Sequence, residues 1–281
     1  MMTPMPNAEM TEYWSTRGGD QWVAERDRYD ALLAPCGRRL LDAAGPARGE
    51  LVLDVGCGNG AATLEVARRV GPEGQAVGID LSPAMLATAR ARAAEAGVAA
   101  SFVEGDVQVA DLGGPYDAVV SRFGVMFFDD PEAAFANIAG ALRSGGRLVF
   151  VCWQEMLSNE WLAVPAAAIV CHVGVPELPE PGAPGPFAFA DPARVEVILR
   201  SAGLTDVTIE AASDQLVMGA DPDDVVAFLA RDEIGRRTLE GKEPDAIASA
   251  LAAAREALRP FSSADGVALG SAYWVVSARR G

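Results

Sequence analysis

Short apolar runs alternate with amphipathic segments through the middle of the chain. Leu51-Val52-Leu53 is a short apolar run bounded by a glycine-rich turn, as in a buried parallel strand, and further strands are predicted at 75–79, 101–104, 116–120 and 147–152. Three segments with apolar residues at helical spacing separate them, at 61–70, 82–97 and 131–142. Ser82-Pro83 supplies an N-cap and a first-turn proline for the second of these helices. Strands that alternate with helices predict an α/β fold with a parallel, doubly wound sheet.

The flanking segments follow a different pattern. Helical spacing over 21–33 and 36–44 predicts an N-terminal helical segment that ends at Gly45-Pro46. After the fifth strand, a helical piece over 161–171 leads into a Pro- and Gly-rich tract, which we interpret as a lid. Beyond the lid the pattern predicts a helix, a strand, two helices and a closing strand, over 191–203, 206–211, 221–258 and 271–278. The chain is therefore predicted to divide into N-terminal helices, core, lid and remainder of the fold, over 1–50, 51–153, 154–190 and 191–281.

Composition restricts the partners of the protein. A formal net charge of −16 over 281 residues argues against nucleic acid, because phosphate-backbone binding depends on Lys and Arg. We expect a cytoplasmic protein that does not enter a membrane, since the chain has neither a leader-like N-terminus nor about 18 consecutive apolar residues. The four cysteines form no CxxC pair and His172 is the only histidine, so no metal site is expected.

A glycine-rich turn after the first strand indicates a nucleotide-like ligand. Gly56, Gly58 and Gly60 stand between a predicted strand and a predicted helix, where the backbone can approach a ligand closely. The same pattern fits the dinucleotide fingerprint, which leaves NAD as an alternative. Asp54 favours S-adenosylmethionine instead, because a carboxylate at this strand end would repel a pyrophosphate and attract an ammonium or sulfonium. Asp80 ends the second strand, where it could accept hydrogen bonds from two ribose hydroxyls or serve only as a loop or helix-capping residue.

Further motifs follow the glycine turn in order. They are Gly-Ile-Asp-Leu-Ser-Pro-Ala-Met-Leu at 78–86, Glu-Gly-Asp-Val at 104–107, the segment 116–130 and the segment 141–148. As a set, covering roughly 51–153, they resemble the class I S-adenosylmethionine-dependent methyltransferases, and in particular the bacterial small-molecule enzymes similar to those of ubiquinone and menaquinone synthesis (methyltransferase type 11). The resemblance implies a Rossmann-like sheet of seven strands with the last one antiparallel, S-adenosylmethionine as cofactor and S-adenosylhomocysteine as product.

The resemblance also distributes roles among the site residues. Asp106 could accept from an adenine amine, or it is an ordinary turn residue. The N-terminal Trp14 and Trp22 resemble residues that fold over the cofactor in bacterial members, although plain helix packing explains them equally well. The residues assigned to cofactor binding are Asp54, Gly56, Cys57, Gly58, Asn59, Gly60, Asp80, Leu81, Met85, Asp106, Val107, Ser121, Phe123, Trp14 and Trp22.

Methyl transfer from a sulfonium requires mainly alignment and a dry site, so the acceptor leaves a weak signature. Apolar residues in and near the lid favour a small hydrophobic or aromatic acceptor, with O-methylation preferred, and we assign substrate contact to Met126, Trp153 and Trp161. His172 is the one candidate for a general base, with a packing or solvent-facing role as the alternative. A non-methylating cyclisation or elimination, or a non-catalytic cofactor-binding module, are the competing functions. A homodimer is expected.

Overall fold

A computed structural model describes residues 7–281, which form two compact units. The first unit contains residues 7–153 together with 182–212 and 273–281, and the second contains 154–181 and 213–272. The strands are β1 Leu51–Val55, β2 Gln75–Asp80, β3 Ala100–Glu104, β4 Tyr116–Arg122, β5 Leu142–Trp153, β6 Leu204–Gly219, β7 Ser262–Ser263 and β8 Gly266–Arg280. The helices are α1 Ala8–Ser15, α2 Arg17–Ala24, α3 Arg26–Ala44, α4 Ala61–Val70, α5 Pro83–Ala96, α6 Pro131–Ala141, α7 Glu160–Val173, α8 Pro192–Ser201, α9 Pro222–Arg231, α10 Glu233–Leu239 and α11 Pro244–Leu258.

The strands lie in the order β3-β2-β1-β4-β5-β8-β6, with β7 beside β8. The first five strands pair in parallel, and β8 runs antiparallel to β5. The Rossmann-like α/β class and the antiparallel last strand are therefore confirmed. The predicted count of seven strands is wrong, because the two-residue β7 forms a short hairpin with β8. Its two serines are exposed, so no apolar alternation signals it in the sequence.

The N-terminal helices begin earlier than predicted, and the residues on both sides of Pro35 belong to one helix. Helix α3 continues through Pro35 for 19 residues and ends at Gly45, which adopts a left-handed conformation. A proline removes one backbone donor from a helix. Here seven buried side chains along α3 stabilise the helix through packing and outweigh that loss.

The core of the first unit lies on the parallel strands. Val52, Val119 and Phe150 on β1, β4 and β5 are almost completely buried. One cluster packs α4 and α5 onto the sheet, through Cys57, Leu64, Leu86, Ala89, Ala93 and Phe102. A second cluster brings Phe135 of α6 within 5.8 Å of both Phe150 and Phe189, measured between ring centroids. This packing makes the strand ends a rigid base for the loops that follow them.

In the second unit, helices α7, α9, α10 and α11 pack on one another. Asn159, completely buried before α7, accepts hydrogen bonds from the backbone N–H of Ala272 and the indole N–H of Trp161. The stretch 221–258, for which two helices were predicted, contains three. The second unit combines residues 154–181 with 213–272. The sequence analysis instead predicted a lid over 154–190 and assigned 191–281 to the core fold, so the lid remains a prediction.

Over residues 7–281, no helix combines the length and apolarity that crossing a membrane requires.

Candidate functional site

The candidate site is built where neighbouring parallel strands end. β1, β2 and β4 lie side by side, with Asp54 in register with Gly78 of β2 and Val120 of β4. The loops after these strands therefore meet at one edge of the sheet, which is where open α/β sheets bind their ligands.

The glycine turn after β1 packs tightly against both neighbouring loops. The carbonyl of Ile79 accepts from the backbone N–H groups of Gly56 and Cys57, at 2.9 and 3.1 Å. Gly56 has a φ of +66°, and a Cβ added there would lie 2.7 Å from the Cα of Gly124. A side chain is thus excluded both by conformation and by space, which explains the first glycine of the motif.

Asp54 is a buried carboxyl with one oxygen in a strong hydrogen bond and one without a partner. Its Oδ2 accepts from Thr63 Oγ1 at 2.6 Å, whereas Oδ1 is buried and has no hydrogen-bond partner within residues 7–281. Burial raises the pKa of Asp54 to about 6, although the bond from Thr63 opposes that shift. The carboxyl is therefore prepared to accept a donor at Oδ1, and a cationic donor would favour its ionised form.

Asp80 connects the glycine turn to the start of α5. Its Oδ2 accepts from the backbone N–H of Gly58 at 2.8 Å, and its Oδ1 accepts from that of Ser82 at 2.9 Å. Burial raises the pKa of Asp80, and the backbone N–H bonds oppose the shift. Ser82 caps α5 through Met85, as the Ser-Pro signal predicts. Asp80 is thus a loop-organising residue, and each oxygen keeps capacity for a second donor.

The turn after β4 carries two of the predicted residues. Ser121 Oγ donates to the carbonyl of Val55 at 2.7 Å and accepts from the backbone N–H of Gly124 at 3.2 Å, so its hydroxyl ties the β1 and β4 ends together. Phe123 has a φ of +64° and its ring stacks on Trp153 at 4.0 Å between centroids. The two aromatic side chains are buried and pack on each other at the carboxyl ends of β4 and β5. Met126, the other predicted substrate contact in this unit, is buried to 1%.

The loop after β3 is organised by local hydrogen bonds. Asp106 accepts from the backbone N–H of Gln108 at 3.0 Å, and the carbonyl of Val107 accepts from Asn137 Nδ2 at 2.7 Å. These contacts hold Asp106 in a turn and attach the loop to α6. They leave the adenine role of Asp106 a prediction.

The N-terminal helices contact the loops of the site directly. Ser15 Oγ donates to the carbonyl of Leu81 at 3.2 Å, and Asn59 Nδ2 donates to the carbonyl of Trp22 at 2.9 Å. Trp22 stacks on Tyr29 at 4.0 Å, and Trp14 meets Phe127 edge-on at 5.1 Å. The two tryptophans therefore take part in aromatic packing beside the site, and a cofactor contact for them stays a prediction.

Two predicted residues belong to the second unit. Trp161 begins α7, and His172 is exposed in its last turn. Their roles toward substrate remain predictions. The sequence analysis did not assign Thr63 or Gly124 to the site. Both left a signal in the sequence, since Thr63 is a hydroxyl residue in the first turn of the helix after the glycine motif and Gly124 is a glycine just after β4. Within residues 7–281, no cluster of His, Cys, Asp or Glu is arranged to hold a metal ion.

Comparison with known proteins gives this geometry a family. A family described as "Methyltransferase domain" matches residues 52–146. Nocamycin O-methyltransferase of Saccharothrix syringae is 36% identical over 194 residues, which are 64% of this chain and 69% of that protein. The chain belongs to the class I S-adenosylmethionine-dependent methyltransferases.

A second relative supports the methyltransferase assignment, and a solved structure shares the fold. Aklanonic acid methyltransferase of Streptomyces sp. strain C5 is 37% identical over 138 residues, so the match spans 48% of this chain and 63% of that protein. Phosphoethanolamine N-methyltransferase 2 of Haemonchus contortus, solved with S-adenosylmethionine, matches in fold with a TM-score of 0.52 at 20% identity, over 88% of this chain and 52% of that one. Membership of this family makes S-adenosylmethionine the cofactor, rather than NAD.

The site residues of this methyltransferase fit that cofactor. Asp54 Oδ1 and Asn59 Oδ1 are buried acceptors that lack partners among residues 7–281, so they suit a ligand that brings N–H or O–H donors. A pyrophosphate brings only acceptors. The burial of Asp54 strengthens its attraction for a cationic group, because the surrounding dielectric is low.

Proposed function

We propose that this methyltransferase transfers a methyl group to an oxygen of a small metabolite with a hydrophobic or aromatic body. The observation that carries the proposal is the Phe123–Trp153 stack, at 4.0 Å and 14° between ring planes, after β4 and β5. Phe123 holds this position with a left-handed φ of +64°, a conformation that is unfavourable for a residue with a Cβ. A strained aromatic residue beside a cofactor loop is a candidate functional wall. The names of the two curated relatives, one an O-methyltransferase and one acting on aklanonic acid, support an oxygen acceptor.

The division of work follows from the residues. The cofactor supplies a methyl group that is already activated, and the chain supplies alignment and an apolar wall that excludes water. Asp54 accepts from Thr63, Asp80 accepts from Gly58 of the glycine turn, and the single histidine is exposed on α7. An acceptor oxygen that ionises readily, such as that of a carboxylic acid or an acidic phenol, therefore suits the site. His172 remains the proposed base for a less acidic acceptor. The absence of a nucleic-acid partner and the homodimer also stay predictions.

A matched panel of acceptors tests the proposal. We would incubate the full chain with methyl-labelled S-adenosylmethionine and aromatic compounds that differ only in carrying a carboxyl, a phenol or an amine group. We expect labelled ester or ether product from the oxygen acceptors, and release of the label by mild alkali identifies an ester. Trp153→Ala is expected to raise the KM of the acceptor about tenfold, and Trp153→Phe to retain the wall. The proposal would be overturned by label found only in the amine product, or by an acceptor KM that is unchanged in both Trp153→Ala and Trp153→Phe.

A further inference from the structure

The guanidinium of Arg92 joins the glycine turn to the N-terminal helices. Arg92 lies on α5, and its Nη1 donates to the carbonyl of Asn59 at 2.7 Å. Its Nη2 donates to Asp30 Oδ2 on α3 at 2.6 Å, and both side chains of this pair are 23% exposed. One planar group thus holds a loop carbonyl and a helix carboxylate at the same time.

The carbonyl that Arg92 holds lies at a critical point of the turn. Asn59 is followed by Gly60, which has a φ of +81° and donates its N–H to the carbonyl of Cys57 at 2.9 Å. A Cβ on Gly60 would lie 2.9 Å from the Cβ of Ala89, so α5 also limits this peptide sterically. Rotation of the Asn59–Gly60 peptide would break both hydrogen bonds and reshape the second half of the turn.

The side chain of Asn59 links this peptide to ligand binding. Asn59 is 5% exposed, its Nδ2 is bonded to the carbonyl of Trp22, and its Oδ1 is buried without a partner among the described residues. The direction of Oδ1 depends on the backbone that Arg92 fixes. Asp30 in turn orients Arg92. The other carboxylate oxygen of Asp30, Oδ1, lies 3.9 Å from Arg122 Nη2.

We propose that Asp30 and Arg92 are positioning residues for cofactor binding, which hold the Asn59 peptide so that the glycine turn is shaped before the cofactor arrives. Neither residue contacts the reacting atoms in this proposal. The planar, forked guanidinium is essential, because a lysine ammonium replaces the charge but not the two-sided geometry. Loss of the Asp30–Arg92 pair should therefore weaken binding of the cofactor more than it slows the chemical step.

The test compares Arg92 with a matched arginine at the other end of the sheet. Arg147 pairs with Glu50 at 2.6 Å, with side chains 18% and 17% exposed, and also donates to backbone carbonyls of Ala44 and Gly45. It sits near the amino ends of the strands. We would measure the Kd of S-adenosylhomocysteine by calorimetry and the melting temperature for Arg92→Ala, Arg92→Lys, Asp30→Asn and Arg147→Ala.

We expect Arg92→Ala to raise the Kd about tenfold, Arg92→Lys to recover only part of that loss, and Asp30→Asn to weaken binding by a smaller factor. Arg147→Ala should lower the melting temperature and leave the Kd within twofold. With an acceptor in hand, Arg92→Ala should raise the KM of S-adenosylmethionine and leave kcat within twofold. The proposal is overturned if Arg92→Lys and Asp30→Asn, the variants that preserve most of the packing, both bind normally. It is also overturned if Arg147→Ala weakens binding as much as Arg92→Ala.

Discussion

Cofactor binding by this methyltransferase is predicted to weaken below pH 6 as the Asp54 carboxyl takes up a proton. Asp54 is 2% exposed, and burial raises its pKa to about 6. An ammonium or sulfonium near its free Oδ1 stabilises only the ionised form, so binding competes with protonation. Asp54→Asn removes the titration and retains most of the shape.

The expected size follows from the pKa. With a pKa of about 6, only about one molecule in ten has Asp54 ionised at pH 5, so the apparent Kd should be about tenfold higher than at pH 7, or about 1.4 kcal/mol weaker. The free energy of unfolding of the ligand-free protein changes with pH in the opposite direction. A carboxyl whose pKa is raised from 3.8 to about 6 favours the folded state below pH 4, and this contribution, on the order of 3 kcal/mol, is lost as pH rises through 6.

Calorimetry with S-adenosylhomocysteine between pH 5 and 7 checks this, because the ammonium group of the ligand stays protonated throughout that range. The Kd of the wild-type protein should rise as the pH falls, and Asp54→Asn should bind more weakly with a Kd that depends less on pH. Thr63→Val removes a hydrogen bond that lowers the pKa of Asp54, so the pH dependence should move to higher pH. A flat wild-type profile, or the same slope in Asp54→Asn, would refute the assignment of Asp54.

Two other substitutions separate ligand binding from structure. Asp80→Ala leaves the N–H groups of Gly58 and Ser82 without their acceptor. We therefore expect a loss of about 1–3 kcal/mol in the free energy of unfolding measured with urea, and binding of S-adenosylhomocysteine that is at least tenfold weaker. An unchanged free energy of unfolding would contradict the role of Asp80 in organising the loop. His172→Ala should lower kcat by about 10²–10⁴-fold and leave cofactor affinity intact if His172 is a base. Since His172 is exposed, a fall of less than threefold in kcat, at unchanged melting temperature, would exclude that role.

The strands of the core were predictable from apolar runs such as Leu51-Val52-Leu53 and from their regular alternation with helical segments. β1, β2, β3 and β4 lie within two residues of their predicted bounds. Pro35 lies inside α3, and the packing that stabilises the helix around it is tertiary and is not displayed by the sequence. The short α10 and the two-residue β7 are held by their neighbours rather than by a periodic pattern of their own.

The same distinction explains which parts of the site could be found. Asp54 and Asp80 stand at the ends of adjacent parallel strands, and the chain order alone places such ends together. The contacts of Arg92 join residues 33 and 62 positions apart, and no short motif records them. They depend on how α3 and α5 pack, which is a property of the folded chain.

The two carboxyls of the site have different relations to a ligand, and the sequence could not separate them. Both were expected to meet the cofactor. Asp80 has a backbone donor on each oxygen, and these hydrogen bonds oppose the rise in its pKa that burial causes. Asp54 has a donor on one oxygen only and a pKa of about 6, so the ligand decides its charge at mildly acidic pH. Protonation linked to binding should therefore be reduced more by Asp54→Asn than by Asp80→Asn, even though both variants bind the cofactor less tightly.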